Sequence, residues 1–363
     1  MTPIPYEVVD VFTTAAFGGN PLAVIPDARG LDERLMQLIA AEFGFSETVF
    51  VFPPIEPVHT AHVRIFTPTA EVPFAGHPNV GTAFVLARRA SIFGQPVGDA
   101  LWFEERAGLV AVTVQYRAGA VSGAAITAPQ ALEVGQEVAV DMVAACASLA
   151  ATDITVERHR PLVLSVGLPF VFTEVASRAA LARARPNRDR FVEAEAAVPL
   201  PDGGFSLFLY VPEPAPRGRY SARMFAPLDN VLEDPATGSA SAALAAYLVQ
   251  RMPAADLEAE LLFDQGVDMG RPSRLNLSVR KVLGMVRQVV VGGECMPIMR
   301  GELLLGTERN FTYGQRPPIQ NRILRGRLRP TRQRDHRVPA RDVAIPFGRG
   351  AVDYPRNFGA HRR

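Results

Sequence analysis

A glutamate inside an apolar segment is the first residue of this chain that could do chemistry. Glu47 lies in FSETVF (45–50), a β-branched and aromatic run typical of a strand. A buried carboxylate is costly to keep ionised, and burial raises its pKa toward the range useful for proton transfer. The alternating pattern equally permits a glutamate that faces solvent on an edge strand. The local sequence leaves both interpretations open.

A repeated motif suggests where such a glutamate could act. The pattern R-x-F-x-P occurs at 64–68 and again at 223–227, and [HD]-P-x-x-G-[TS]-A occurs at 77–83 and 234–240. Each copy combines a strand, a loop and the start of a helix. Two distant copies indicate a duplication, whereas a solenoid would need several short repeats. The alternative is that two unrelated strand–loop–helix units use glycine and proline for the same geometric reasons.

The repeated motif predicts an anion site between two halves of the protein. Helices are expected to begin at about Gly81 and Gly238, and a helix N-terminus offers unpaired N–H groups and partial positive charge. If the halves face each other, both helix ends converge on one crevice that suits a small carboxylate. His77 and Asp234 occupy matching motif positions and are expected on opposite sides of it. Helix capping and a histidine packed in a turn are the structural alternatives.

Other chemical motifs are weak or missing in the sequence. The two histidines of H-x-x-H (59–62) face opposite ways on a strand, which disfavours a metal site. The two cysteines, Cys146 and Cys295, have no CxxC spacing and fit a reducing compartment. No apolar stretch reaches membrane-spanning length. These patterns predict a cytoplasmic protein without a bound metal or cofactor.

The remaining elements follow from periodicity and turn residues. Apolar residues at helical spacing predict a helix over 31–43, which Gly44 ends. Strands are predicted over 6–13, 46–52 and 62–66, and Gly292-Gly293 is predicted to form a turn between the last two strands.

Length and charge divide the chain further. Its 363 residues suit two domains, with 48% hydrophobic and 21% charged residues. The net charge of +1 conceals a basic C-terminal region: 306–363 holds 14 arginines and four acidic residues, which leaves the preceding part at −9. This tail is predicted to be mostly disordered. An extension outside the fold is favoured over a nucleic-acid-binding arm, because no aromatic residues recur at stacking intervals.

Taken together, these segments resemble the PhzF family of phenazine-biosynthesis-like isomerases. The matching stretches include VDVFTTAAFGGNPLAVI, MQLIAAEFGFSETVFV, RIFTPTAEVPFAGHPNVGTA, RMFAPLDNVLEDPATGSASAAL and QGVDMGRPSRL. The resemblance implies an α+β fold like that of diaminopimelate epimerase, in which two pseudo-twofold domains each wrap strands around a central helix. The expected division is 1–125 and 126–305, with the tail outside the family pattern. A homodimer and the absence of a metal or redox cofactor are also implied.

The same resemblance implies roles for individual residues. Glu47 is expected to be the catalytic acid/base, His77, Asp234 and Ser239 to line the substrate pocket, and Gly76 and Gly238 to contribute backbone positions. The best-known family reaction is the isomerisation of trans-2,3-dihydro-3-hydroxyanthranilate, in which a proton moves between ring carbons. Related racemases use paired cysteines, a mechanism that the positions of the two cysteines here disfavour. The alternative is a small-molecule binding or regulatory protein that has lost turnover.

Overall fold

Two helices buried on every side organise the structure. A computed structural model describes residues 3–201 and 204–305. Of its six helices in this part of the chain, α2 has 11 of 12 residues buried and α6 has 11 of 13. A helix without a polar face must be enclosed on all sides, and here strands enclose both. The six described helices are α1 (Glu33–Phe43), α2 (Gly76–Ala87), α3 (Val140–Cys146), α4 (Arg178–Arg183), α5 (Arg188–Ala197) and α6 (Gly238–Gln250).

Most of the strands belong to one continuous hydrogen-bonded system. Those of the first half are β1 (Ile4–Val11), β2 (Asn20–Ile25), β3 (Glu47–Phe52), β4 (Ala61–Phe66), β5 (Glu71–Val72), β6 (Ser91–Ile92), β7 (Gln95–Pro96), β8 (Ala100–Glu105), β9 (Gly108–Arg117) and β10 (Ala120–Thr127). Those of the second half are β11 (Glu133–Glu137), β12 (Leu162–Ser165), β13 (Pro169–Glu174), β14 (Leu207–Pro212), β15 (Arg219–Ala226), β16 (Val231–Asp234), β17 (Leu257–Gln265), β18 (Ser273–Val282) and β19 (Met285–Leu303).

The first set of strands closes into a barrel around α2. Strand pairing runs in the order β1, β2, β3, β4, β8, β9, β10 and β19, and β19 pairs again with β1. Two of these pairs, β2 with β3 and β4 with β8, are parallel, and the others are antiparallel. Closure removes free strand edges and holds α2 in a fixed position inside the barrel.

The second half repeats this pairing around α6. Its order is β11, β12, β13, β14, β15, β17, β18 and β19. Again the crossover that contains the buried helix joins two parallel strands, β15 and β17, just as α2 lies between β4 and β8. The recurrence of pairing order, crossover and buried helix extends the repeat seen in the sequence to the whole architecture. The predicted α+β fold, with strands around a central helix in each half, is confirmed.

Strands β10 and β19 join the two halves. Residues Gly123 to Thr127 of β10 pair with β19. The N-terminal part of β19 also pairs with β18, and its C-terminal part pairs with β1. Gly292 and Gly293 lie within β19, so the predicted turn at these residues is wrong. A Cβ on Gly293 would lie 2.6 Å from the Cδ1 atom of Phe12, so glycine provides room where a side chain packs on the strand.

The predicted division between residues 125 and 126 falls inside β10 and stays a prediction.

The helix predicted over 31–43 is confirmed as α1, with Asp32 capping its N-terminus and Gly44 ending it in the left-handed conformation, φ 64°. The strands predicted over 46–52 and 62–66 are confirmed as β3 and β4. The predicted disorder of 306–363 lies outside the described residues.

Candidate active site

Helix α2 begins five residues earlier than the repeated motif predicted. Its first residue is Gly76, not Gly81, whereas α6 begins at Gly238 as expected. Pro78 had suggested a loop, but proline is tolerated in the first turn, where the missing N–H would have no partner within the helix. Gly81 instead lies inside the helix, where a Cβ would come within 2.7 Å of side chains of β1 and β2.

This shift changes which residues correspond in the two halves. Counted from the helix starts, Gly76 matches Gly238 and His77 matches Ser239. Asp234 precedes α6 by four residues, whereas His77 is the second residue of α2. The prediction that His77 and Asp234 occupy equivalent positions is therefore wrong. The structure nevertheless brings both residues into one buried cluster, although they do not occupy corresponding positions in the two halves.

The N-termini of α2 and α6 abut. A Cβ on Gly76 would lie 3.6 Å from both the Cα of Gly238 and the backbone nitrogen of Ser239. Both helix starts therefore direct unpaired N–H groups toward one small region, an arrangement that favours an anion. A cleft over these helix starts is lined by Gly76 and Ser239 and by apolar side chains from both halves, among them Phe74, Val166 and Leu168.

Glu47 is the first residue of β3, and its carboxyl group faces α2. Parallel pairing of β2 with β3 places it opposite Leu22. Its side chain is 19% exposed, and Oε2 lies 3.5 Å from Nε2 of His77. Both of these atoms are buried, and neither has a hydrogen-bond partner within the described part of the chain. Of the two interpretations that the sequence left open, the structure supports the carboxyl that points inward.

Burial sets the protonation of this cluster. It raises the pKa of Glu47 to about 8, with the negative charge of Asp234 acting in the same direction and the Ser46 hydroxyl opposing it. Burial also raises the pKa of Asp234 to about 6, against hydrogen bonds from Thr237 and Asn20. The pKa of His77 is lowered to about 3 by burial. At neutral pH, Glu47 is therefore mostly protonated, Asp234 mostly ionised and His77 neutral.

Asn20 connects the members of the cluster, and sequence reasoning missed it. Its Nδ2 donates to Oδ1 of Asp234 at 2.8 Å and to the carbonyl oxygen of Ala236 at 3.1 Å, and lies 3.4 Å from Nδ1 of His77. Its Oδ1 accepts from the Ser46 hydroxyl at 3.1 Å. The segment Gly18-Gly19-Asn20-Pro21 has the composition of a turn and gives no sign that Asn20 is only 1% exposed.

Two further residues hold Asp234 and were also missed. The Thr237 hydroxyl donates to Oδ2 of Asp234 at 2.6 Å. Gln265 donates through Nε2 to the backbone oxygen of Asp234 at 2.8 Å and accepts from the Thr237 N–H through Oε1 at 3.1 Å. Thr237 stands directly before α6, but its hydroxyl holds the carboxylate and does not cap the helix. The loop before α6 is thus fixed by its own Thr237 and by Gln265 at the end of β17.

The arginines of R-x-F-x-P brace the segments that lead to the two helices. Arg64 donates through Nε and Nη2 to both carboxyl oxygens of Glu71 at 2.8 and 2.7 Å. Arg223 forms the same bidentate pair with Glu233 at 2.8 and 2.7 Å. Glu233 directly precedes Asp234, so the Arg223–Glu233 pair holds the segment that carries Asp234.

No group of three or more His, Cys, Asp or Glu side chains among the described residues is arranged to hold a metal ion. The cysteines, Cys146 and Cys295, are both buried and unpaired. Residues 3–201 and 204–305 contain no helix with the length and apolarity to cross a bilayer.

Comparison with known proteins agrees with this architecture. Residues 9–301 match the family model of phenazine biosynthesis-like proteins, PhzC-PhzF. An uncharacterized isomerase of Mesorhizobium japonicum is 37% identical over 306 residues, covering 83% of this chain and 98% of that protein. The trans-2,3-dihydro-3-hydroxyanthranilate isomerase of Pseudomonas aeruginosa is 33% identical over 303 residues, covering 83% and 99%.

A solved structure shows the same fold. The PhzF-family phenazine biosynthesis protein of Bacillus anthracis is 26% identical and superimposes with a TM-score of 0.75, covering 84% of this chain and 100% of that one. The chain therefore belongs to the PhzF family of phenazine biosynthesis-like proteins and is an isomerase.

Proposed function

We propose that this isomerase moves a proton between carbons of a small unsaturated or cyclic carboxylate by general acid/base catalysis, without a metal or redox cofactor. The observation that carries the proposal is the buried Glu47 carboxyl, which faces His77 next to two abutting helix N-termini; burial raises the pKa of Glu47 to about 8, within the range useful for proton transfer. The site therefore combines an acid/base group, Glu47, with an anion-binding position at the two helix N-termini.

The substrate carboxylate binds at the N–H groups of Gly76 and Gly238, with the Ser239 hydroxyl as a further donor. Partial positive charge from both helices stabilises the anion there. The apolar walls of the cleft cover the rest of the molecule and exclude water, which strengthens the electrostatic interactions inside. The carboxylate thereby fixes the position of the carbons relative to Glu47.

The ionised form of Glu47 removes a proton from an activated carbon. The electron pair of that C–H bond moves into the neighbouring unsaturated system, a double bond shifts, and Glu47 returns the proton to another carbon. No electron leaves the substrate, so the step balances without an oxidant or reductant. With its pKa at about 8, both forms of Glu47 are accessible near neutral pH, as this kind of catalysis requires.

His77 and Asp234 complete the catalytic cluster. A neutral His77 can hydrogen-bond to Glu47 and to polar groups of the substrate without adding a charge. The ionised Asp234 keeps the pKa of Glu47 high and offers an acceptor to a hydroxyl or amino group. The P. aeruginosa relative is named for trans-2,3-dihydro-3-hydroxyanthranilate, a cyclic, unsaturated carboxylate of this class, so we propose it as the first substrate to test.

The test is product formation in D₂O from trans-2,3-dihydro-3-hydroxyanthranilate and a panel of cyclic and unsaturated carboxylates, followed by NMR. We expect at least one to isomerise with deuterium incorporated at carbon. Glu42→Gln is a matched control, because this glutamate is exposed on α1, and it should turn over at the wild-type rate. Binding of these carboxylates without any exchange at carbon would instead identify a binding or regulatory protein.

Three further points belong to this proposal. We propose that the halves divide near residues 125 and 126, that the protein acts as a homodimer, and that it works in the cytoplasm. The repeat of strand pairing supports the first, family membership supports the second, and two buried, unpaired cysteines suit the reducing compartment of the third.

A further inference from the structure

We infer that Asn20 is a positioning residue that fixes the neutral tautomer of His77, so that His77 presents Nε2–H to Glu47. The spectroscopic part of this inference stands on hydrogen-bond geometry, and only its catalytic consequence rests on the proposed function.

Three hydrogen-bond partners fix the orientation of the Asn20 amide. Nδ2 faces two groups that can only accept, Oδ1 of Asp234 and the carbonyl oxygen of Ala236. Oδ1 faces the Ser46 hydroxyl, which can donate. The reversed amide would place an oxygen against both acceptors, so these partners fix the orientation. Nδ2 is therefore the atom that lies 3.4 Å from Nδ1 of His77.

An amide nitrogen donates hydrogen bonds and does not accept them. The two hydrogens of this nitrogen make the shorter bonds to Asp234 and Ala236, so the 3.4 Å contact with His77 is at most a shared one. A hydrogen on Nδ1 of His77 would still face a positively polarised NH2 group that cannot accept it, whereas a lone pair on Nδ1 is attracted to that group. The neutral ring, which burial favours, has one hydrogen and must carry it on Nε2. That hydrogen faces Oε2 of Glu47, whose distance from Nε2 is 3.5 Å.

The chain of contacts gives the two oxygens of Glu47 different roles. Oε2 lies against Nε2–H of His77 and is held as an acceptor. The exchangeable proton of Glu47 is then carried by Oε1, the oxygen that gives it to and takes it from the substrate. A hydrogen bond from Nε2–H also stabilises the carboxylate form of Glu47 when it acts as the base. The other tautomer of His77 would turn a lone pair toward Oε2 and would destabilise the carboxylate form of Glu47.

The direct test is the tautomer of His77, read from the ¹⁵N shifts of labelled imidazole and assigned by the signal that His77→Gln removes. The wild-type protein should show Nε2–H. In Asn20→Asp, the new carboxyl group lies against Asp234, and the two carboxyls share a proton. The oxygen that replaces Nδ2 can then accept from the ring, so the signal should change to Nδ1–H. Gln265→Glu is a matched control, because this amide also holds the Asp234 segment but does not contact His77.

The outcomes separate clearly. Nε2–H in the wild type and in Gln265→Glu, with Nδ1–H in Asn20→Asp, supports the inference. Nδ1–H in the wild type overturns it, and this spectrum requires no variant to fold. Unchanged Nε2–H in Asn20→Asp also overturns it, because something else would then fix the tautomer.

The catalytic consequence has its own readout. Asn20→Asp should lower kcat by at least about tenfold, as the wrong tautomer turns a lone pair of His77, in place of Nε2–H, toward the reacting carboxyl. It should also change the pH profile of kcat, whereas a fold defect would lower activity at every pH alike. If no substrate turns over, the proposed function fails while the tautomer measurement still stands.

Discussion

Replacement of Asp234 by asparagine should lower the pKa of Glu47. The substitution keeps the size and shape of the side chain and removes the negative charge that helps to keep Glu47 protonated. Burial and Asp234 together raise the pKa of Glu47 from 4.5 to about 8, and burial is the larger cause. The Ser46 hydroxyl acts against both causes, so loss of the Asp234 charge should lower the pKa of Glu47 by only part of the difference between 4.5 and about 8, a difference that corresponds to ~5 kcal/mol in all.

The assay is a pH titration of the Glu47 carboxyl carbon in protein labelled at glutamate Cδ. Glu47→Gln identifies the signal. We expect a midpoint near pH 8 in the wild type and a lower midpoint, still above 4.5, in Asp234→Asn, because burial persists. Glu42→Gln should leave the Glu47 midpoint unchanged.

Two results would refute this reasoning. An unchanged midpoint in Asp234→Asn would mean that the two carboxyls do not interact. A wild-type midpoint near 4.5 would mean that Glu47 is solvated and that no raised pKa exists to explain.

Three other substitutions test separate parts of the structure. Arg223→Ala should lower the free energy of unfolding in urea by about 3–5 kcal/mol, because it leaves the Glu233 carboxylate without its bidentate partner and removes one donor from each of three backbone oxygens. Arg64→Ala, at a more exposed pair, should cost about 1–2 kcal/mol, and equal losses would contradict the role of burial. Both carboxyl oxygens of Glu105 are buried and have no hydrogen-bond partner among residues 3–201 and 204–305. Burial raises the pKa of Glu105 to about 8, with Asn79 opposing, so the contribution of Glu105 to stability is lost as pH rises from 4.5 through 8. The free energy of unfolding of Glu105→Gln, relative to that of the wild type, should therefore increase by at least about 1 kcal/mol between pH 5 and pH 9. A stability difference that does not change with pH would contradict a raised pKa of Glu105. Gly76→Ala places its Cβ in ordinary contact with Gly238, so the free energy of unfolding should change by less than ~1 kcal/mol. KM for the carboxylate should rise at least about tenfold, because the methyl group fills the anion site. An unchanged KM would mean that the anion binds at another place.

Much of the fold could be predicted from the sequence, because the signals were local. The spacing of apolar residues and Gly44 defined α1, and β-branched runs defined β3 and β4. The buried helices were harder, because α2 and α6 have no polar face and so show no amphipathic period. Gly292 and Gly293 were assigned to a turn because glycine more often marks a turn than the tight packing of a strand against an aromatic ring.

The sequence predicted which residues belong to the site better than it predicted their arrangement. The motifs pointed to Glu47, His77 and Asp234, but the start of α2 was displaced because Pro78 suggested a loop. That displacement produced the wrong correspondence between His77 and Asp234. Asn20 could not be found from its neighbours, since its partners are more than 25 residues away in sequence and one of them, Asp234, belongs to the other half.

The central claim is that Glu47 carries the proton, and exchange at carbon tests it most directly. The measurement is the rate of deuterium incorporation from D₂O into a turned-over carboxylate, compared between wild type and Glu47→Gln. Glutamine cannot take or give the proton, so we expect the rate to fall by at least about 10², with the affinity for the carboxylate kept within a few-fold. Exchange by Glu47→Gln at the wild-type rate would contradict the account.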